Sequence, residues 1–376
     1  MSSALVAGVA CLFGVGLLSV VARHTPPTGT PYLPVQPWRA LVWIALIPAY
    51  VGWGYAVAFR RHEGVSLGVA LKLAIAIQAF PLIGPILFSG DVRAYGPFGR
   101  SSHPYDPPNV TADPYGPLWT LISRPIGYLS SPTFGFRLLA FASVLAICVI
   151  AARLSSSPAL AVMTVGWNPL VAIHFSGGGH NDALMMALAV GAVLLAERGR
   201  TEWAGAAWAA SVLVKLPVAP FYVLTMIRER RRGRGLGVRG AALMTALTVI
   251  ACLPFFGVNW IHLPAVLSWN EHRRWSLGMS GWLGDLGLSS SHVTQICRAL
   301  EASLVVVFAW RAARDRLRLG LAASLITIVS PKFNPWCALW ALAFTAIDAK
   351  DKWGRMLVIV ITGVALSDIL TTVLDG

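Results

Sequence analysis

Charge is scarce in this sequence. Only 12% of its 376 residues are Asp, Glu, Lys or Arg, against 56% hydrophobic residues and a mean hydropathy of +0.66. A chain so poor in polar surface cannot hide its nonpolar surface in a water-soluble core, which excludes an ordinary soluble enzyme. Acidic residues are scarcer still, 16 against 30 Lys and Arg, for a net charge of +14. In a soluble protein that excess would point to nucleic acid, whereas in an apolar chain it marks cytoplasmic loops, so no nucleic-acid partner is expected. The five cysteines, Cys11, Cys148, Cys252, Cys297 and Cys337, lie in apolar stretches without CxxC spacing, which argues against a disulfide framework or a zinc knuckle. Phosphate-loop spacing is absent from the Gly-rich segments, so no nucleotide or redox cofactor is implied. No polar stretch is long enough for a sizeable soluble domain, and residues 1–376 read as a single transmembrane domain. The first apolar stretch, Ala4 to Ala22, lacks a basic n-region and a small-residue cleavage site, and reads as a retained helix.

What is present is a series of apolar segments long enough to cross a hydrocarbon core as helices that satisfy their own backbones. They fall at about 4–22, 38–58, 66–89, 134–152, 158–175, 180–197, 237–256, 293–312 and 354–373, with two longer stretches at 202–228 and 319–347. Each longer stretch holds a cation beside prolines, Lys215-Leu216-Pro217 in one and Pro331-Lys332 with Asn334-Pro335 in the other. Proline disfavours uninterrupted helix, and irregular backbone at membrane depth lines a polar cavity, so each reads as a hairpin of two short helices. The expected fold is an all-α polytopic membrane protein with about 11 to 13 transmembrane helices.

With the N-terminus inside, the cytoplasmic turns collect Arg60, Arg61, Arg153, Arg198, Arg200, the run Arg228 to Arg239, Arg311 to Arg318, and Lys350 to Arg355. The Arg228 to Arg239 run reads as a solvated loop, not as specific lipid-headgroup recognition. The opposite face receives Asp91, Asp106, Asp113, Asp182, Glu271, Asp285, many tryptophans and every histidine except His62. Ionisable groups at a membrane boundary are expensive and usually pair or serve a function, which places the chemistry on the extracytoplasmic face of a cell membrane.

The densest segment is Phe88 to Trp119, FSGDVRAYGPFGRSSHPYDPPNVTADPYGPLW, inside an extracytoplasmic loop at 90–133. Its Pro and Gly turns can hold Asp91, Arg93, Tyr95, Arg100 and Tyr115 in place without regular structure. Asp91 follows a long apolar helix, where partial desolvation would raise its pKa toward that of a useful base and the dipole of a helix C-terminus would disfavour it. The next segment, Tyr115 to Ser130, carries Trp119, Ile122, Ile126 and Leu129 at helical spacing around Arg124, the pattern of an interfacial helix. Arg124 is either an anchor in lipid phosphates or a grip on a lipid-borne phosphate substrate.

A second extracytoplasmic turn reads His174-Phe-Ser-Gly-Gly-Gly-His180-Asn181-Asp182 before an apolar helix. Its glycines and the helix N-terminus suit a phosphate or sugar hydroxyls, whereas Asn181 or Asp182 alone would satisfy a simple cap. A divalent metal on His174, His180 and Asp182 is not supported by the ligand spacing. Lys215 and Lys332, at the two hairpin apices, are placed to balance a phosphate. A further loop at 257–292, with Trp260, Trp269, Glu271, His272, Arg273, Arg274, Trp275 and Trp282, has the aromatic and charged mixture of a carbohydrate groove or of an interfacial belt.

FSGDVRAYGPFGR, HPYDPP and DPYGPLW, then GGGHNDALMMALAV, KLPVAPFYVL and SPKFNPWCALWAL, in that order over about residues 85 to 345, resemble the GT-C superfamily of membrane glycosyltransferases. In particular they resemble the actinobacterial polyprenyl-phosphomannose-dependent α-1,6-mannosyltransferases. The resemblance implies that Asp91 is the catalytic base and that His180, Asn181 and Asp182 fall on the HND motif. It also places Pro114 to Trp119, Lys215 and Asn334 to Trp336 on substrate-facing segments. The chain departs in being shorter than the mycobacterial members and in reading GDVRAY where they have a Tyr-Ser-Tyr-like run.

The expected reaction moves a sugar, mannose by resemblance, from a polyprenyl-phosphate donor to a glycan or glycolipid acceptor with inversion. Its candidate charge partners are Arg93, Arg124, Lys215 and Lys332. The rival reading is a transporter or lipid-linked sugar flippase, because broken helices with apical cations also build midplane transport sites. Against it stand the absence of an inverted repeat and the concentration of acids in external loops.

Overall fold

A computed structural model describes residues 3–24, 39–59, 64–87, 90–101, 104, 115–255, 277–348 and 350–375. Among these residues the chain is helical without strands, and the one extended pairing is a bridge between Leu277 and Phe333. In chain order the helices are α1 (Ser3–His24), α2 (Arg39–Ala58), α3 (Leu67–Ile83), α4 (Asp91–Arg100), α5 (Pro117–Gly127), α6 (Pro132–Leu154), α7 (Pro158–Gly166) and α8 (Pro169–Gly177). They continue as α9 (Asp182–Glu197), α10 (Thr201–Val214), α11 (Ala219–Arg231), α12 (Gly237–Cys252), α13 (Met279–Asp285), α14 (Ser290–Ala312), α15 (Leu319–Val329), α16 (Ala338–Ile347) and α17 (Lys352–Asp375).

The molecule is an all-α polytopic membrane protein. Helices α1, α2, α6, α12 and α14 are each long and apolar enough to cross a bilayer, and the bent pair α7 and α8 adds a further span. Helices α3 and α15, and α16 with its leading 3₁₀ turn, are apolar but shorter. Among the described residues, by length and composition alone, these are fewer independent spans than the spacing of apolar segments predicts, because proline cuts several segments. Pro85 ends α3 at Ile83, and Asn168-Pro169 bends the α7–α8 pair by 50°. Lys215 separates α10 from a 3₁₀ turn at Leu216–Val218, and a 3₁₀ turn at Pro335–Cys337 leads into α16. Both expected hairpin breaks are therefore present, with Lys215 at the first and Lys332 in the second.

The core is centred on α7 and α16, in which every residue over Ala159–Gly166 and Ala338–Ala346 is buried. A helix apolar on all sides belongs inside a bundle, and these two pack against α3, α6 and α9. Helices α12 and α14 are peripheral, with 17% of each membrane window buried. The break after α7 exposes carbonyls that lipid cannot satisfy, and polar side chains from neighbouring helices take them up. Trp53 Nε1 donates to Met163 O and Thr164 O, each at 3.2 Å, and Gln78 Nε2 donates to Gly166 O at 3.1 Å.

The 90–133 segment is more regular than its Pro and Gly content predicts. Residues 91–100 form α4 because it packs closely on α5: a Cβ at Gly99 would sit 2.6 Å from the Ser123 backbone. Two guanidiniums lock the pair reciprocally. Arg124 Nε donates to Gly99 O at 3.0 Å and its Nη2 to Ser101 O at 3.4 Å, while Arg100 Nη1 donates to Gly127 O. Each arginine thus satisfies carbonyls at the C-terminal end of the other's helix. Asp106 and Asp113 lie outside the described residues, as do Trp260, Trp269 and Glu271 to Trp275.

The basic segments gather at the far end of α9. Glu197, its last residue, pairs with Arg232 at 2.9 Å and Arg234 at 3.3 Å. Glu229 pairs with Arg228 at 3.1 Å and Arg234 at 2.8 Å, and Asp315 with Arg232 at 2.7 Å. The Arg228 to Arg239 run is therefore partly an ion-pair network joining α9, α11 and the α14–α15 turn, not simply a solvated loop.

Candidate functional site

The site begins where α8 unwinds. Residues Ala172–Gly177 are π-helical, an expansion of the helix that recurs at functional sites, and carry His174 into the core. Gly178 N and Gly179 N both donate to Phe175 O, and His180 N donates to His174 O at 3.3 Å. The glycine amides are thus consumed in closing the helix, which corrects the expectation that they present themselves to an anion. Gly179 reverses the chain at φ +74, where a side chain would be strained and a Cβ would lie 2.7 Å from Val92 Cγ2.

The HND residues that follow have three different environments. Asn181 occupies the cap position of α9 but makes no side-chain capping bond, and its Oδ1 and Nδ2 are buried without a hydrogen-bond partner. Simple capping therefore does not explain it. Asp182 is fully buried: its Oδ2 lies 2.9 Å from Lys215 Nζ, and its Oδ1 accepts from Trp340 Nε1 at 2.9 Å. The Lys215 apex is thus joined to the HND turn by an ion pair. Removing one partner from such a buried pair costs about 3–5 kcal/mol.

His180 faces the other way. Its Nδ1 lies 3.8 Å from Asp91 Oδ2, with the aspartate side chain 31% exposed and the imidazole buried. Burial pushes the His180 pKa well below its ordinary value, and the charges of His174 and Lys215 act in the same direction. The imidazole is therefore neutral at pH 7, and its approach to Asp91 is that of a dipole to a carboxylate, not an ion pair. The ring stacks on Trp336 with centroids 4.1 Å apart and planes inclined at 19°, and the His174 ring lies 5.7 Å from that of His180 and 6.0 Å from that of Trp336.

Asp91 itself sits in the first turn of α4, where the helix dipole favours a carboxylate. This reverses the sequence-based argument, which placed it at the unfavourable end of the preceding helix; α3 stops at Ile83. Arg93 is exposed on α4. Tyr95 and Tyr115 are buried in an aromatic wall with Trp119 and Phe136, with Tyr95 centroid distances of 5.1 Å to Tyr115 and 5.0 Å to Trp119. Lys215 Nζ stands 6.0 Å from the centre of the Tyr115 ring. Lys332 and Asn334 are half-buried in the second break, where Asn334 O accepts from Cys337 N at 2.9 Å. Arg100 and Arg124, as described, are engaged with backbone carbonyls.

Segments far apart in sequence therefore meet: the start of α4, the HND turn, the Lys215 break and the Trp336 break form one connected set of contacts. Three contributors escaped the sequence reading. Arg137 of α6 is 5% exposed and donates to Ser176 O at 3.0 Å, Gly84 O at 2.9 Å and Pro81 O, pinning the segment before Asp91 to the π-helix before His180. Gln78 accepts from Ser176 Oγ at 3.2 Å, and Trp340 holds Asp182. The available signal was a charged or amide side chain inside an otherwise apolar helix. Among the described residues no group of three or more His, Cys, Asp or Glu side chains is arranged to hold a metal ion.

Comparison with known proteins gives a consistent set of matches. Residues 109–228 match the family described as alpha-(1->6)-mannopyranosyltransferase, N-terminal domain, a stretch that includes the HND turn and Lys215. The alpha-(1->6)-mannopyranosyltransferase A of Mycobacterium tuberculosis is 27% identical over 72% of this chain and 60% of its own length. The alpha-(1->6)-mannopyranosyltransferase B of Corynebacterium glutamicum is 24% identical over 80% and 62%, and a probable alpha-(1->6)-mannopyranosyltransferase of Mycolicibacterium smegmatis 25% over 93% and 76%. No solved structure matches. The chain spans about three fifths of the first two of these relatives, and its resemblance is to the actinobacterial α-1,6-mannosyltransferases.

Proposed function

We propose that this protein is a membrane mannosyltransferase that moves mannose from a polyprenyl-phosphate donor to a glycan or glycolipid acceptor, with Asp91 as general base. The observation that carries the reading is that the start of α4, the HND turn and the Trp336 break meet at the Asp91–His180–Trp336 contact, with the Lys215 break tied to the same turn through Asp182, since segments serving packing alone need not meet at one partly exposed carboxylate. Asp91 takes the proton of an acceptor hydroxyl. That oxygen bonds to the anomeric carbon as the bond to the carrier phosphate breaks, so configuration inverts and the phosphate leaves as the anion. Arg93, two residues after Asp91, and Lys332, four residues before Trp336, are the cations proposed to meet the phosphate.

The site lies at the start of α9 and the arginine network at its end, separated by about 24 Å at about 1.5 Å per residue. Arginine-rich turns favour the cytoplasm, so this separation supports an extracytoplasmic site in a cell membrane. The test is incubation of the purified protein with a panel of radiolabelled polyprenyl-phosphate sugars and glycan acceptors. Transfer from the mannose donor supports the reading, and facilitated movement of a lipid-linked sugar across vesicles without transfer would replace it with the flippase alternative.

A further inference from the structure

We propose that Asn181 and His180, with His174 beside them, recognise the hydroxyl groups of the transferred sugar and not the phosphate of its carrier. The inference rests on the glycosyl-transfer reading and assigns a substrate part within that site. Oδ1 and Nδ2 of Asn181, Nε2 of His180 and both ring nitrogens of His174 are buried without a hydrogen-bond partner. The three residues are 2%, 1% and 1% exposed. Most buried polar side-chain atoms in proteins are paired, and although isolated unpaired atoms occur elsewhere in this chain, the grouping of five of them within residues 174–181 points to a ligand that supplies the missing partners.

The chemistry of the unpaired atoms selects that ligand. Asn181 needs a donor for Oδ1 and an acceptor for Nδ2. The Asp91 carboxylate, 3.8 Å from Nδ1 of His180, favours the ring proton on that nitrogen over Nε2, which leaves Nε2 as a lone pair in need of a donor. An ionised phosphate offers acceptors alone and leaves both lone-pair atoms unmet. A hydroxyl donates and accepts, and adjacent ring hydroxyls match the mixed set. Lys215, whose charge reaches His180, is already balanced by Asp182, so this side of the site is not built to attract an anion. The location is apt as well: His180 lies between the candidate base Asp91 and the half-buried Trp336 of the second break.

Two short-chain probes separate sugar from phosphate recognition: polyprenyl phosphate and the same lipid carrying mannose, titrated into the detergent-purified protein. Asn181→Leu removes both amide partners at nearly constant size, and His174→Phe keeps the ring volume. Each variant is expected to weaken binding of the mannose-bearing probe about tenfold, the scale of one lost hydrogen bond, with binding of the sugar-free probe unchanged. Should Asn181→Leu not be recovered folded, His174→Phe carries the same comparison. Equal weakening of both probes, or weakening of neither, overturns the assignment while leaving the glycosyl-transfer reading standing. Wild-type protein that binds neither probe overturns that reading and this inference together.

Discussion

Lys215 Nζ lies 2.9 Å from Asp182 Oδ2, and that contact joins the break between α10 and α11 to the turn that follows the π-helix. Both groups were expected to face substrate, yet both are buried and engaged with each other. The pair therefore holds the site together and sets where His180 and Asn181 stand.

Asp182→Asn and Lys215→Met are each expected to destabilise the folded protein by about 3–5 kcal/mol, because each leaves a buried charge without its partner. The double variant Asp182→Leu/Lys215→Met is expected to recover much of that loss. Thermal unfolding in detergent measures all three. Single variants as stable as wild type would show that the pair is not structural.

Arg124→Ala should act on the α4–α5 pair, since Arg124 bonds Gly99 O and Ser101 O. Losing bonds from a charged donor costs about 1.5–3 kcal/mol. Protease resistance of the α4–α5 segment is expected to fall while the Kd for polyprenyl phosphate stays constant. A variant of unchanged stability with weakened lipid binding would return Arg124 to a phosphate-gripping role.

Orientation is testable with single cysteines at Arg231 and Asp285, read out with a membrane-impermeant maleimide on intact cells and on inverted vesicles. Asp285→Cys is expected to label from outside and Arg231→Cys from the cytoplasm. Labelling of both from one side would remove the case for an extracytoplasmic site.

Much of this architecture was legible in the sequence because proline and charge inside apolar runs are conspicuous: the Lys215 and Asn334-Pro335 breaks fall where their composition places them. What the sequence hid was decided by packing. Helix α4 contains Gly96, Pro97 and Gly99 and reads as loop, yet close contact with α5 makes its glycines useful. The π-helix leaves no periodicity of its own in six residues. Arg100 and Arg124 look like ligand-binding cations until the carbonyls they cap are seen, and the role of Arg137 emerges only when its three carbonyl partners are placed. A charge in an external segment thus identifies a place where burial is costly, and only the fold tells whether its partner is substrate or backbone.

Asp91, held near neutral His180 at the start of α4, is proposed to remove the acceptor proton. The most direct measurement is single-turnover transfer of radiolabelled mannose from its polyprenyl-phosphate donor by wild type and Asp91→Asn, with donor affinity measured alongside. Asparagine keeps size and shape but lacks the basic carboxylate, and a base acts in the transition state, so the loss belongs in kcat. The transfer rate is expected to fall about 10²- to 10⁴-fold with donor Kd unchanged. Transfer by Asp91→Asn at the wild-type rate would contradict it.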